Sequence, residues 1–331
     1  PDLSRTSSET LEYLGLTSKG VKEYPISETT TSEENGIWET EDDYGTSYYY
    51  RGNINNNNIV FAGFNWKILR INGNGSLRLA LNYSCAKYDN ENYCIPYALN
   101  YAYDNEDENF RYVGYMHGIS DLDNIESSNE NIFDSTIKIA LDNWYEENIV
   151  NNGFSEKVEN DTIYCNDRSV YNIENDFNPA PGGGVGDSST KVTYNYKNRI
   201  LQQNPILTCP QIEKDGFSVN NASKGNQKLK YPIATITADE VAYAGTNGYL
   251  NNVIDYNNVF YTMTPLEVTY RSDSNRSLIL SIMKGDSYSY LAFTGTFFED
   301  TYQQNILPVL SLKSDITVTG TGTQNDPFVV Q

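Results

Sequence analysis

The segment Ile59–Leu81 (IVFAGFNWKILRINGNGSLRLAL) constrains the fold more than any other part of the chain. Its apolar residues are too dense for a loop. Gly63 interrupts the run, and Asn72–Gly73–Asn74–Gly75 supplies residues that tolerate positive φ. We read Ile59–Ile71 as strands, the Asn/Gly run as a hairpin turn, Leu77–Leu81 as the return strand, and Trp66 as the centre of the hairpin. A hairpin this apolar needs further strands beside it and a helix to cover it.

Phe133–Ile149 (FDSTIKIALDNWYEENI) supplies a cover. Ile137, Ala140, Leu141, Trp144 and Tyr145 recur at helical spacing, and Asp134 or Ser135 precedes them as a cap. Tyr231–Gly245 reads as a strand feeding a second helix, with Thr237 and Glu240 as a capping box and Gly245 as its stop. Ser277–Met283, a turn at Lys284–Asp286 and Ser287–Thr294 read as another hairpin. The tail alternates as strands at Ile306–Leu312 and Ile316–Thr319, then Pro327–Val330. These elements predict an α+β fold, with an antiparallel sheet core, two packed helices and long polar loops. Residues 1–35 form a polar arm, with a weak helix near Ser8–Leu16, that docks on its own body or on a neighbour. Residues 36–331 form one ectodomain.

The chain has 331 residues, 44 Asp+Glu against 23 Lys+Arg and a formal net charge of −21, which argues against nucleic-acid binding and against docking on anionic lipid. Its 28 Tyr residues argue against a disordered acidic chain. No apolar run reaches the ~20 residues of a membrane span. The sequence opens without an initiator Met or a signal-peptide pattern, which fits a mature or trimmed ectodomain.

The four cysteines, Cys85, Cys94, Cys165 and Cys209, allow three pairings. The natural one joins Cys85 to Cys94 and Cys165 to Cys209. The two loops would contribute about 2.5 and about 4 kcal/mol by closure entropy. The alternative is four reduced thiols in a cytosolic protein.

Chemistry-bearing candidates are few. His117 is the only histidine, within Tyr115–Gly118, and no Gly-x-Ser-x-Gly elbow accompanies it. Asp239–Glu240 is the tempting carboxylate pair, but Glu240 is explained by capping, and adjacent helical residues point apart. The Gly182–Gly184 run lacks the Lys-Ser/Thr of a phosphate loop. Residues 88–131 carry ten acidic side chains against one Arg. Within them Asp89, Glu91, Asp104, Glu106, Asp107 and Glu108 are candidate calcium ligands without EF-hand spacing, weighed against a solvated acidic loop. No other cofactor is expected.

Several collinear stretches resemble an uncharacterised family of secreted or surface-anchored bacterial domains. They are DYGTSYYYRG at 43–52, FAGFNWKILRINGNGSLRLAL at 61–81, STIKIALDNWYEEN at 135–148, YCNDRSV at 164–170 with LTCP at 207–210, and Tyr231–Gly245. YTMTP at 261–265, LPVLSLK at 307–313 and GTGTQNDPFVV at 320–330 continue the series. The resemblance covers roughly Gly36 to Gln331. It implies an ectodomain behind a pilin-like or single-helix anchor, and it supports the Cys165–Cys209 bridge. Leu307 stands where the family carries Arg before Pro-Val. More distantly, the order of elements is similar to the C-type-lectin-like and formylglycine-generating-enzyme fold, although no redox-active cysteine pair is matched.

The expected function is non-enzymatic and extracellular: a filament or pilus-like subunit that self-associates, or an adhesive module. The alternative is a lectin-like module gripping glycans with aromatic and Asx residues, with or without calcium. Lys–Asn isopeptide links are left open.

Overall fold

A computed structural model describes residues 4–24, 26, 30–82, 87–88, 94–95, 99–101, 114–118, 126, 129–174, 191–219, 224–245, 260–271, 274–282 and 304–331. The Trp66 segment forms an antiparallel meander of Asn58–Phe61, Phe64–Ile71 and Leu77–Leu81. Its first turn needs only Ala62 and Gly63, at φ 52° and 77°, the left-handed pair that suits a tight hairpin. Phe64–Ile71 pairs with strands on both sides: with Asn58–Phe61 and Gly45–Arg51 on one, and with Leu77–Leu81 on the other. Every residue of Phe64–Ile71 except Asn65 is buried, as are all those of Leu77–Leu81. A strand covered on both faces loses the polar alternation of an exposed sheet, and this explains the nearly continuous apolar sequence.

Among the described residues the sheet has twelve strands. Ser18–Val21 lies at one end, parallel to Gly36–Asp42. Gly36–Asp42 pairs with Gly45–Arg51 through seven cross-strand positions. On the other branch Pro308–Leu312 sits between Leu77–Leu81 and Ile233–Thr235, antiparallel to both. Phe328–Val330 runs parallel to Asn58–Phe61 and pairs with Val318–Thr319. A second sheet contains Val170–Glu174, Lys191–Tyr194, Phe260–Arg271, Ser274–Ile282, Gln304–Ile306 and Asn100–Tyr101.

The predicted cover helix spans Thr136–Tyr145 and continues as a π turn over Glu146–Val150. Ser135 caps it, while Phe133–Asp134 pairs as a short strand with Met116–His117. The five apolar residues named from its periodicity are all buried. Trp144 packs its ring 5.9 Å from Trp66 and 5.3 Å from Phe64, joining helix to hairpin. Buried Lys138 is held between Asp134 and Asp142, at 3.0 Å each.

The second helix is Ala238–Ala244, with both hydrogen bonds of the Thr237–Glu240 capping box formed and Gly245 at φ 82° after it. Its C-terminal carbonyls, Ala242 O and Tyr243 O, accept from Nη1 of the buried Arg51 at 3.0 and 3.1 Å. A cation there complements the negative end of the helix. The described residues hold three further helices: Ser7–Tyr13, where a weak helix was expected near Ser8–Leu16, and Asn195–Leu201 and Ile212–Asp215, which the expectation of two packed helices left out. The α+β class stands.

The polar stretch before Gly36 is tied to its own body. Leu11 and Leu14 join the main core, Thr10 Oγ1 donates to Gly75 O at 2.9 Å, and Arg5 Nη1 donates to Ser314 O and Ile316 O at 2.6 and 2.9 Å. Of the two docking modes expected for this arm, the described residues show the intramolecular one. The strand expected at Ser277–Met283 forms as Ser274–Ile282, but it pairs back onto Phe260–Arg271. Residues 287–294, its expected partner, lie outside the described residues.

Candidate functional site

The polar centre of the molecule begins with a bulge. Between Ile68 and Arg70 the register against Leu77–Leu81 shifts, and Arg70 comes to lie directly opposite Arg78. A bulge re-aims a side chain, and like charges directly opposed across a ladder destabilise it. Both arginines are buried, and Glu240 resolves the conflict. Its Oε1 lies 2.9 Å from Arg78 Nε and 3.5 Å from Arg70 Nη2, while Oε2 accepts from Thr237 N at 3.0 Å. Arg70 Nη1 also meets Asp42 Oδ2 at 2.6 Å. The Arg78 guanidinium lies 4.1 Å from the centre of the Tyr164 ring.

A second group adjoins the first. Arg199 reaches Asp239 with Nε at 3.2 Å and Nη2 at 2.8 Å, and reaches Asp167 Oδ2 with Nη1 at 2.6 Å. Ile206 N donates to Asp239 Oδ1 at 3.0 Å, and Cys209 N donates to both oxygens of Asp43 at 3.1 Å. The Cys165–Cys209 disulfide is present, with a Cα–Cα distance of 5.5 Å. It clamps the strap Pro205–Pro210 over the charged cluster. Immediately past Cys165, Arg168 is fully buried on Asp215, with Nε and Nη2 at 2.8 and 2.7 Å from Oδ1 and its backbone N at 2.6 Å from Oδ2.

Burial works to raise the Glu240 carboxyl, but Arg78 and Arg70 outweigh it and hold the group below its ordinary value. Burial works against the charge of Arg199, but Asp239 and Asp167 reverse that and raise it. Burial raises Asp43, only partly offset by Cys209 N–H. It raises Asp142 and Glu159 as well. The signs fix a pH profile. The raised carboxyls take protons in the folded state first, so their contribution is complete below the ordinary carboxylate pKa and fades as pH rises through their folded values. Glu240 contributes above that ordinary value and is lost as pH falls through its depressed one. The thermal midpoint should therefore rise on acidification from neutral pH toward the ordinary carboxylate range and fall once the pH drops below that range, toward the depressed value of Glu240. A midpoint falling monotonically from pH 7, followed by circular dichroism, would contradict this.

The charged cluster fills its own cleft, leaving about 30 Å³ for water-sized molecules, enough for one or two waters. Arg70 Nε and Asn72 Oδ1 border this space and have no hydrogen-bond partner among the described residues. Open space lies on the other side of the strap. Ile206, Leu207 and Thr208 form a wall shared with a groove of about 350 Å³, whose other sides include Tyr24, Glu39, Thr40, Glu41 and Tyr243.

Asp239 and Glu240 point apart as expected, each to its own arginine, yet both border the charged cleft. His117 is buried, with its ring 5.6 Å from Phe133 and Nδ1 3.2 Å from Gly118 O. The calcium candidates Asp89, Glu91, Asp104, Glu106, Asp107 and Glu108 lie outside the described residues, as does the Cys85–Cys94 bridge. Among the described residues no group of three or more His, Cys, Asp or Glu could hold a metal ion, and no helix is long and apolar enough to cross a membrane. Sequence reasoning missed Arg70, Arg78, Arg168 and Arg199. The signal for the first two was an arginine inside otherwise apolar strands, KILRI and LRLAL. Comparison with protein-family models, with curated proteins and with solved structures gives no match.

Proposed function

We propose that this chain is a non-catalytic adhesive module that works outside the cell, with a C-type-lectin-like fold and the groove beside the strap as its contact surface. The observation that supports this most is the division of space around Pro205–Pro210. On one side each arginine of the cluster is matched by carboxylates, with room for water only. A general acid or nucleophile needs access to a reactant, and that cleft offers little. On the other side the groove has a volume within the range of ligand sites, with Tyr24 more than half exposed at its rim. The disulfide is consistent with an oxidising compartment. The intramolecular docking of Arg5–Leu14 favours adhesion over a filament built by that arm.

The test is binding of the labelled full chain to arrays of cell-surface glycans and proteins, with and without a chelator. Saturable binding that weakens roughly tenfold in Tyr24→Ala, with an unchanged thermal midpoint, is the expected result. Binding that ignores Tyr24→Ala would remove the groove from the reading. Turnover of an array component would replace adhesion with catalysis.

A further inference from the structure

The groove lies along an interrupted strand edge. Ser18–Val21 runs parallel to Gly36–Asp42 as far as the pair Val21↔Glu39. The next contact on that strand is a parallel bridge from Leu207 to Asp42. Between them Thr40 and Glu41 pair with Ser47 and Thr46 on the inner side. On the outer side no described strand reaches them. Unpaired backbone at a sheet edge is a template for an added strand.

The side chains around this gap favour a cation. Glu39 and Glu41 are two apart and therefore share a face of the strand. Each is held through one oxygen: Ser18 Oγ donates to Glu39 Oε1 at 2.7 Å, and Thr46 Oγ1 donates to Glu41 Oε1 at 2.8 Å. The second oxygen of each stays available. Tyr243 is fixed by its hydroxyl, which donates to Pro205 O at 2.9 Å and lies 3.2 Å from Thr40 Oγ1. Tyr24 stands beside it, its hydroxyl 3.5 Å from that of Tyr243. The two carboxylates on that face suit the charged tip of a lysine or arginine, while Tyr243 and Tyr24, beside Thr40 on the opposite face, suit the apolar residues that alternate with it along an extended segment. The net charge of −21 draws cations from a distance and repels a second copy of the chain.

We propose, resting on the adhesive reading, that the groove binds an extended lysine- or arginine-bearing peptide, which adds to the Thr40–Glu41 edge and places a cationic side chain against Glu39 and Glu41. A glycan matches the carboxylates and tyrosines but not the backbone edge.

The test is fluorescence anisotropy of the full chain with a short peptide of alternating Lys and Val. Its Glu/Val counterpart, an alternately N-methylated Lys/Val peptide and a labelled amino-sugar oligomer complete the set. The Lys/Val peptide should bind saturably, less tightly as salt rises. It should bind roughly tenfold or more weakly to the Glu39→Gln/Glu41→Gln variant at an unchanged thermal midpoint. N-methylation should weaken binding by a similar factor, and the Glu/Val peptide should not bind. Equal affinity of the double variant, equal binding of the N-methylated peptide, or no binding of the Lys/Val peptide would each overturn the proposal. If the amino-sugar oligomer alone binds, and Tyr24→Ala abolishes it, the adhesive reading survives while the peptide proposal falls. If neither ligand binds and the arrays are also blank, both fall.

Discussion

Glu240→Ala should destabilise the protein by about 3–5 kcal/mol, the usual cost of breaking a buried ion pair and leaving a charge without its partner. Here it would leave Arg78 without a carboxylate among the described residues and Arg70 with Asp42 alone. Arg70 and Arg78 face each other across the ladder, both buried, and Glu240 Oε1 is the group placed between them. The same substitution removes the N3 half of the capping box that holds Thr237 N. Arg78→Met should cost less, because Glu240 would keep Arg70 at 3.5 Å and Thr237 N at 3.0 Å. Equilibrium unfolding in urea measures both. A Glu240→Ala variant within about 1 kcal/mol of the parent would show that the two arginines are solvated or neutralised by other groups.

Removing the Cys165–Cys209 bridge, by Cys165→Ser with Cys209→Ser, should cost about 4 kcal/mol. The sequence separation of 44 residues sets the closure entropy that the bridge withholds from the unfolded chain. A native-state loss adds to it. Cys209 N donates to Asp43, and the strap it anchors presents Ile206 N to Asp239. Freed from the bridge, Asp239 keeps Arg199, while Asp43 loses the fixed backbone donor of Cys209. Intact mass with and without reductant confirms the bond, and urea midpoints give the energy. Midpoints that coincide for the parent and the double variant would mean that the strap is held by its backbone contacts alone.

What the sequence revealed was local. The meander around Trp66 depends on neighbouring apolar residues and a turn a few positions away. The capping box at Thr237–Glu240 and the apolar stripe from Ile137 to Tyr145 are equally short-range. The cap position shows the limit. Ser135 and Asp134 were equal candidates, and Ser135 caps while Asp134 meets Lys138. The charged cluster was invisible because its pairs lie far apart in the chain, Arg78 being 162 positions from Glu240 and Arg168 47 from Asp215. An arginine in an apolar strand signals a buried partner, but not which of 44 acids provides it. The pairing of Ser274–Ile282 with Phe260–Arg271 was hidden for a related reason. Alternation marks a strand, while pairing is settled by what the two strands jointly bury.

The position of Pro308–Leu312 bears on how the protein is made. This late segment fills the slot between Leu77–Leu81 and Ile233–Thr235, and the early segment around Arg5 closes onto Ser314 and Ile316. A chain still emerging from the ribosome therefore lacks the piece that seals its middle, and distant partners of this kind are slow to meet. Until Pro308–Leu312 is in place, Leu77–Leu81 and Ile233–Thr235 lack the strand that joins them, so this part of the sheet closes late in folding.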